Sequence, residues 1–144
     1  MKLNTTRFGE IEIEESKIIE FPLGIPGFAV LKRYILIEYK EPIRWLHAVD
    51  EPDVAFIVTD PFAIFPEYTF DMSDEVKDFL GLKDPKDIVV LVIVTVADNS
   101  LTVNLKAPII FNAANFKAAQ MIIDSDKYSF KEPFPVPPPK GEGK

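Results

Sequence analysis

The sequence predicts a mostly β domain, an antiparallel and barrel-like fold with one short helix. Three observations carry that expectation. Short runs rich in β-branched and aromatic residues recur along the chain. Turn sequences containing Pro, Gly, Asn or Asp separate them. Only one stretch combines a helix start signal with a helix stop signal. Many short strands, each needing to bury a face and not alternating with helices, close into a barrel or stack as a sandwich.

Apolar and charged residues alternate over 8–13, with Phe8, Ile11 and Ile13 assigned to one side and Glu10, Glu12 and Glu14 to the other. That is the pattern of a half-buried strand. Ile18, Ile19 and Phe21 read as a second short strand. The following segment, Phe21-Pro22-Leu23-Gly24-Ile25-Pro26-Gly27-Phe28, has loop residues but is apolar where exposed loops are polar. Leu23, Ile25 and Phe28 are therefore expected to tuck back onto the core. Three more strands are expected at 33–39, 43–49 and 54–59, turned by Lys40-Glu41-Pro42 and Asp50-Glu51-Pro52-Asp53. Pro61 and Pro66 bracket Phe62 to Phe65, after which Tyr68 and Phe70 alternate with Glu67, Thr69 and Asp71 as a further strand.

The helix is expected at 73–80. Ser73 caps it, Asp74 and Glu75 complement the positive end of its dipole, and Gly81 stops it. Val76, Phe79 and Leu80 form its expected buried stripe. Residues 88–97 are apolar on both faces, so this strand is central and Ile93 is expected to be buried. Asp98-Asn99-Ser100 turns the chain into 101–105, giving a hairpin. A strand follows Pro108 at 109–112. Residues 113–123 read two ways: the spacing of Phe116, Ala119 and Ile123 suits a helix, whereas Asn112 and Asn115 suit a turn between strands. From Lys131 onward, prolines and then Lys140-Gly141-Glu142-Gly143-Lys144 indicate an extended or disordered tail. One domain over 1–132 with a flexible 133–144 tail is the expected organisation.

At 144 residues the chain suits one compact domain, and 47% hydrophobic content with twelve Phe can fill its core. No apolar run approaches the roughly 20 residues of a membrane span, and the beginning of the sequence turns polar at once, so a cytoplasmic protein without membrane association is expected. Cysteine is absent, which excludes disulfides, thiolate metal sites and a Cys nucleophile. The net charge of −7, from 23 acidic and 16 basic residues, disfavours direct nucleic-acid binding. Acidity keeps a protein soluble and also suits a partner with basic patches.

No catalytic constellation is evident. The single histidine, His47, has no second His or Cys to share a metal with, and reads as an ordinary strand residue. Asp50, Glu51 and Asp53 lack the glycine and terminal Glu of a calcium loop and read as turn residues, as do Asp84 and Asp87 around Pro85. Gly24-Ile25-Pro26-Gly27 is not a phosphate loop, because Pro26 removes a needed N–H and no Lys-Ser or Lys-Thr follows. No cofactor is expected. Two sets of apolar residues in Pro/Gly-interrupted segments stand out: Ile25, Pro26 and Phe28, and Pro61, Phe62 and Phe65. They read either as lids on the ends of a small barrel or as protein-binding patches. On a strand, Glu67, Thr69 and Asp71 face away from Tyr68 and Phe70. With Phe62 and Phe65 they make the candidate binding face, an apolar spot with an acidic rim.

These residues also carry a resemblance. Phe21 with Gly24-Ile25-Pro26-Gly27-Phe28, then Trp45-Leu46, Ala55-Phe56, Asp60-Pro61-Phe62 and Tyr68-Thr69-Phe70-Asp71, resemble the FliW family of flagellar assembly factors. The most specific stretch runs from Thr102 through Asn104-Leu105-Lys106-Ala107-Pro108-Ile109 to Asn112, followed by Gln120, Tyr128 and Pro133. The match covers about residues 3–134 in order. Ala118-Ala119 departs from it, standing where the family often has a glycine, and the proline-rich tail extends past the usual end. The resemblance implies a closed or nearly closed barrel, with 109–123 as a hairpin. It also implies a non-enzymatic protein that binds the RNA-binding translational repressor CsrA and binds flagellin, so that free flagellin releases CsrA. The competing class is a small barrel enzyme or flavin-type cofactor carrier, which a yellow purified protein would reveal.

Overall fold

Eleven strands and two short α-helices form among the residues that the computed structural model describes, 1–39, 43–97 and 100–134. In chain order they are β1 (Lys2–Thr5), β2 (Gly9–Glu12), β3 (Ile19–Glu20), β4 (Arg33–Glu38), β5 (Ile43–Ala48), β6 (Ala55–Thr59), α1 (Pro61–Ile64), α2 (Asp74–Leu80), β7 (Ile88–Ala97), β8 (Ser100–Val103), β9 (Ile109–Asn112), β10 (Lys117–Gln120) and β11 (Glu132–Pro133). Pairing runs β7-β6-β5-β4-β3-β10-β9, and β9 pairs back onto β7, so seven strands close into a barrel. A barrel is the fold the strand pattern predicts, and its closure is what the family resemblance implies. One seam departs from the antiparallel expectation: β3 and β10 run parallel and share the single pair Lys117 with Glu20.

Strand alternation explains the two cores. Val89, Leu91 and Ile93 of β7 face inward with Leu46, Val58, Ile109 and Phe111. Val90, Val92 and Val94 face outward with Ile57, Val103 and Ile110. That outer apolar wall cannot face water, and residues of the 65–82 and 121–134 segments cover it, among them Tyr68, Val76, Leu80, Ile123 and Tyr128. A third cluster lies where the β1–β2 hairpin sets Leu3, Ile11 and Ile13 against Ile35 and Ile37 on the outside of β4.

Local chemistry fixes the covering layer. Ser73 Oγ accepts the Val76 N–H at 3.2 Å, and α2 ends at Gly81 as expected. The last carbonyl turn of α2 is then held from the 113–116 turn: Asn112 Nδ2 and Asn115 Nδ2 both donate to the Leu80 carbonyl, at 2.8 and 3.0 Å. This satisfies an otherwise orphaned helix acceptor and pins α2 to the β9–β10 hairpin. The hairpin resolves the two readings of 113–123 in favour of strands. At its turn Phe116 adopts φ 58°, which strains a residue with a Cβ. Its N–H donates to the Asn112 carbonyl at 2.7 Å, its carbonyl accepts the Glu20 N–H at 2.8 Å, and its ring meets Phe111 edge-on at 5.0 Å.

Several expectations need correction. Residues 67–71 are not a strand: the Tyr68 N–H closes a turn onto the Phe65 carbonyl and the Thr69 N–H goes to the Tyr128 hydroxyl, so no ladder forms. The described residues form two α-helices, not one, because Asp60 caps Phe62 N–H at 2.9 Å and Pro61 occupies the first turn of α1. Phe79 is exposed, since a two-turn helix buries only its Val76 and Leu80 edge. Phe8 lies outside β2, and β1, with one buried apolar side chain in Leu3, has too weak a pattern to read. Leu23 and Phe28 are exposed while Ile25 is buried, for reasons given below. Glu132 and Pro133 pair with Val103 and Thr102, extending the ordered sheet to the start of the expected tail. The turns at 40–42 and 98–99 and the tail at 135–144 lie outside the described residues. No helix among the described residues is long and apolar enough to cross a membrane.

Ile93 is half-buried, not buried, because beyond it β7 leaves β9 and pairs with β8, where the barrel wall ends. Leu91, two residues earlier, is fully enclosed. Leu91→Ala should therefore cost about 2–5 kcal/mol in urea unfolding, and Ile93→Ala clearly less. Equal losses would mean that the interior is not graded along β7.

Candidate functional site

The sequence-predicted face assembles on the outer wall of the barrel, after the end of β6. Asp60 and Pro61 start α1, which presents Phe62 with 45% of its surface exposed, while Phe65 packs half-buried on the outer core. The alternation expected at 67–71 survives without a strand: Tyr68 is buried and Phe70 half-buried, and Glu67, Thr69 and Asp71 are exposed. Tyr68 is the anchor. Its hydroxyl donates to the Leu105 carbonyl at 2.7 Å, and its ring lies 4.7 Å from Tyr128, 5.5 Å from Phe70 and 5.7 Å from Phe62. Burial, and after it the neighbouring Tyr128, raise the Tyr68 pKa, so the phenol stays protonated and able to donate.

The chain segment 123–128 closes the other side, which sequence reasoning missed as part of the site. Together the two segments form a groove of about 390 Å³, lined by Thr69, Phe70 and Asp71 on one wall and by Ile123, Asp124 and Lys127 on the other. Lys127 Nζ sits 5.5 Å over the Tyr128 ring. Lys106 Nζ donates to the Ser125 carbonyl at 2.6 Å and steadies that wall. The groove is thus aromatic at its base and carries two carboxylates on opposite walls. The sequence signal was the polar run Asp124-Ser125-Asp126-Lys127 before Tyr128, which says nothing of its partner segment.

The other aromatic segment shapes the opposite end of β6. Ile25-Pro26-Gly27-Phe28 makes a turn closed by the Phe28 N–H on the Ile25 carbonyl at 2.7 Å, with Gly27 at φ 89° following Pro26. Pro then positive-φ Gly at the two central positions is the type II turn. Gly24, at φ 70°, lies so close to Ala29 that a Cβ there would stand 2.6 Å from its Cα. This fold of the loop drives Ile25 into the barrel and sets Phe28 at the rim, edge-on to Phe56 at 5.3 Å. Leu23 points to solvent. The lid and patch readings therefore divide by residue: Ile25 is a lid and Phe28 only partly one.

Of the remaining candidates, His47 is buried in β5 with Nδ1 2.8 Å from the Ala48 carbonyl, a strand histidine as expected. Asp50 holds Arg33 through two contacts of 2.6 and 3.1 Å. Asp53 accepts from the Thr6 hydroxyl, and Asp84 accepts the Lys86 N–H. The turn and cap roles expected for these acids hold.

A small closed β-barrel, lidded at one end and wrapped on its outer wall by an aromatic-based acidic groove, is the class that these features define. The chain belongs to the FliW family, whose model, described as FliW protein, matches residues 2–134. Flagellar assembly factor FliW of Caldanaerobacter subterraneus subsp. tengcongensis is 44% identical over 138 residues, covering 92% of each chain. That of Alkaliphilus metalliredigens is 43% identical over 136 residues, covering 91% of this chain and 84% of its own. A crystal structure of the flagellar assembly factor FliW superposes with a TM-score of 0.89 at 34% identity, covering 96% of this chain and 99% of its own.

Tyr68 holds the 67–71 segment in place, so Tyr68→Phe should cost about 1–3 kcal/mol through the stranded Leu105 carbonyl. The check is chemical denaturation together with amide exchange at Thr69. A loss below about 0.5 kcal/mol with unchanged exchange would show that packing alone fixes the groove.

Proposed function

We propose that this chain is a cytoplasmic flagellar assembly factor without catalytic activity, which binds CsrA and flagellin in alternation. Membership of the FliW family over 2–134 is the observation that carries this reading. The CsrA contact lies on Phe62, Phe65, Glu67, Thr69 and Asp71. Exposed Phe62, whose ring lies 5.7 Å from that of Tyr68, and the exposed carboxylates of Glu67 and Asp71 on the Tyr68 segment offer an aromatic anchor with acidic groups on the same stretch. An RNA-binding protein carries a basic surface, and opposed potentials favour encounter and register between two such faces. The net charge of −7 fits an indirect action on RNA through its binding protein.

Glu67→Lys with Asp71→Lys should weaken CsrA binding about tenfold or more, since like charges would then face each other. The thermal midpoint should hold, because both side chains are exposed. Isothermal titration with CsrA measures the first and calorimetry the second. Unchanged affinity would remove this face from the contact.

Flagellin and CsrA are expected to oppose one another. A standard interface takes about 800 Å² of each partner, roughly a tenth of this chain's surface, so opposition needs a shared or a coupled site. If they share a surface they compete; if the sites are distinct but coupled, each weakens the other by the same factor. Titrating flagellin into the preformed complex should release CsrA, and the reverse order should release flagellin. A ternary complex with neither affinity altered would rule out the alternation while leaving both binary complexes standing.

A further inference from the structure

The lidded end of the barrel carries a second groove, between the 27–31 loop and the 51–54 turn, with a volume of about 570 Å³. Phe28, Val30, Leu31 and Val54 line it, with Glu51 and Asp53 at its edge. Single exposed apolar side chains are ordinary on a protein surface. Here Leu23 is 68% exposed, Val30 87% and Phe28 37%, all on one loop. An apolar surface gathered in this way marks an interaction site.

We infer that this groove docks an amphipathic helix from another protein, one with an aliphatic face flanked by lysine or arginine. Two features select that occupant. The first is charge. Asp50 of the same turn is already paired with Arg33, whereas Glu51 and Asp53 form no ion pair among the described residues. They stand at the rim of an apolar groove, which complements basic flanks on an aliphatic helix face. The second is rigidity. The loop is tied by Gly24 N–H to the Phe21 carbonyl at 2.8 Å, by the Ile25–Phe28 turn, and by Leu31 N–H to the Phe28 carbonyl at 3.0 Å. Gly24 is jammed against Ala29, and Phe28 leans on Phe56. A surface already held in shape loses little entropy when a partner docks.

The site is separate from the Phe62 face. The 51–54 turn enters β6 and Asp60 leaves it, so five strand residues, about 17 Å at 3.4 Å each, lie between the two surfaces.

The test uses the whole chain with a leucine/alanine amphipathic peptide of about 16 residues, lysine-flanked, and a glutamate-flanked counterpart. Calorimetry gives the affinities, and methyl NMR shifts of Val30, Leu31 and Val54 in the groove, with Leu23 on the same loop, give the place. The lysine peptide should bind saturably with shifts confined to those methyls, about tenfold or more tighter than its counterpart. Val30→Asp with Leu23→Ser should abolish this at an unchanged thermal midpoint, both side chains being exposed. Glu51→Lys with Asp53→Lys should remove the preference for lysine. No saturable binding, equal binding of both peptides, or shifts at the Phe62 face would each overturn the inference. So would a concentration-dependent dimer lost in Val30→Asp, which would assign the groove to a second copy of this chain. None of these readouts involves CsrA or flagellin.

Discussion

Because Val89, Leu91 and Ile93 point into the barrel while Val90, Val92 and Val94 lie beneath an outer layer, β7 has no solvent face along most of its length. Each neighbour is placed by that constraint. On one edge β6 must pair with it; on the other, β9 takes its first half and β8 its second. The outward valines demand a cover, and the chain supplies one from 65–82 and 121–134. Hence α2 sits where it does, and so does the groove between 69–71 and 123–128, which is the line where the two halves of the cover meet. The candidate site exists because a two-faced strand had to be roofed from both sides.

What could be read in advance follows from how local the signal is. The strands β4 to β7, the α2 cap at Ser73 and its Gly81 stop each carry their own pattern within a few residues. The closed ring needed the family resemblance as well, since closure pairs strands that are far apart in sequence. Tyr68 inward with Glu67, Thr69 and Asp71 outward was legible as alternation, although the backbone there satisfies its hydrogen bonds through a turn and a tyrosine hydroxyl. Alternation reports extended chain, not pairing. The wall at 123–128 was illegible because its role arises only from tertiary contact with a distant segment. Leu23 and Phe28 misled for a different reason. Apolar residues in a loop suggest burial, but one tight Pro-Gly turn aims neighbouring side chains in opposite directions, and Ile25 takes the only interior place.

A closed barrel also limits where a partner can attach. The strands of the ring have partners on both sides and offer little backbone to another chain. Free edges lie outside it, on the β1–β2 hairpin and β11, and the interior is filled by side chains such as Phe21, Tyr34 and Phe111. What remains are chiefly the outer cover and the loops at the ends, and exposed apolar side chains lie on both: Phe62, Phe79, Ile122 and Phe130 on the cover, and Leu23, Phe28 and Val30 on one loop. The aromatic anchors are set by different means at the two places. Phe62 is raised by a one-turn helix capped by Asp60, and Phe28 by a turn that a proline and two positive-φ glycines hold in shape.

The seam between β3 and β10 bears on how the molecule is made. Ribosomes deliver the chain from its N-terminus, so Ile19 and Glu20 emerge long before Lys117, with most of the sequence between them. Until Phe116 and Lys117 have been synthesised, the free side of β3 has no strand to pair with, and the growing sheet is an open curl with an unpaired strand at each edge. The ring shuts only when the strained turn at Phe116 brings its carbonyl to the Glu20 amide. The segment that completes the cover of the outer wall, 121–134, follows β10 directly, so closing the cylinder and laying the last of its wrapping fall to the same late stretch of chain.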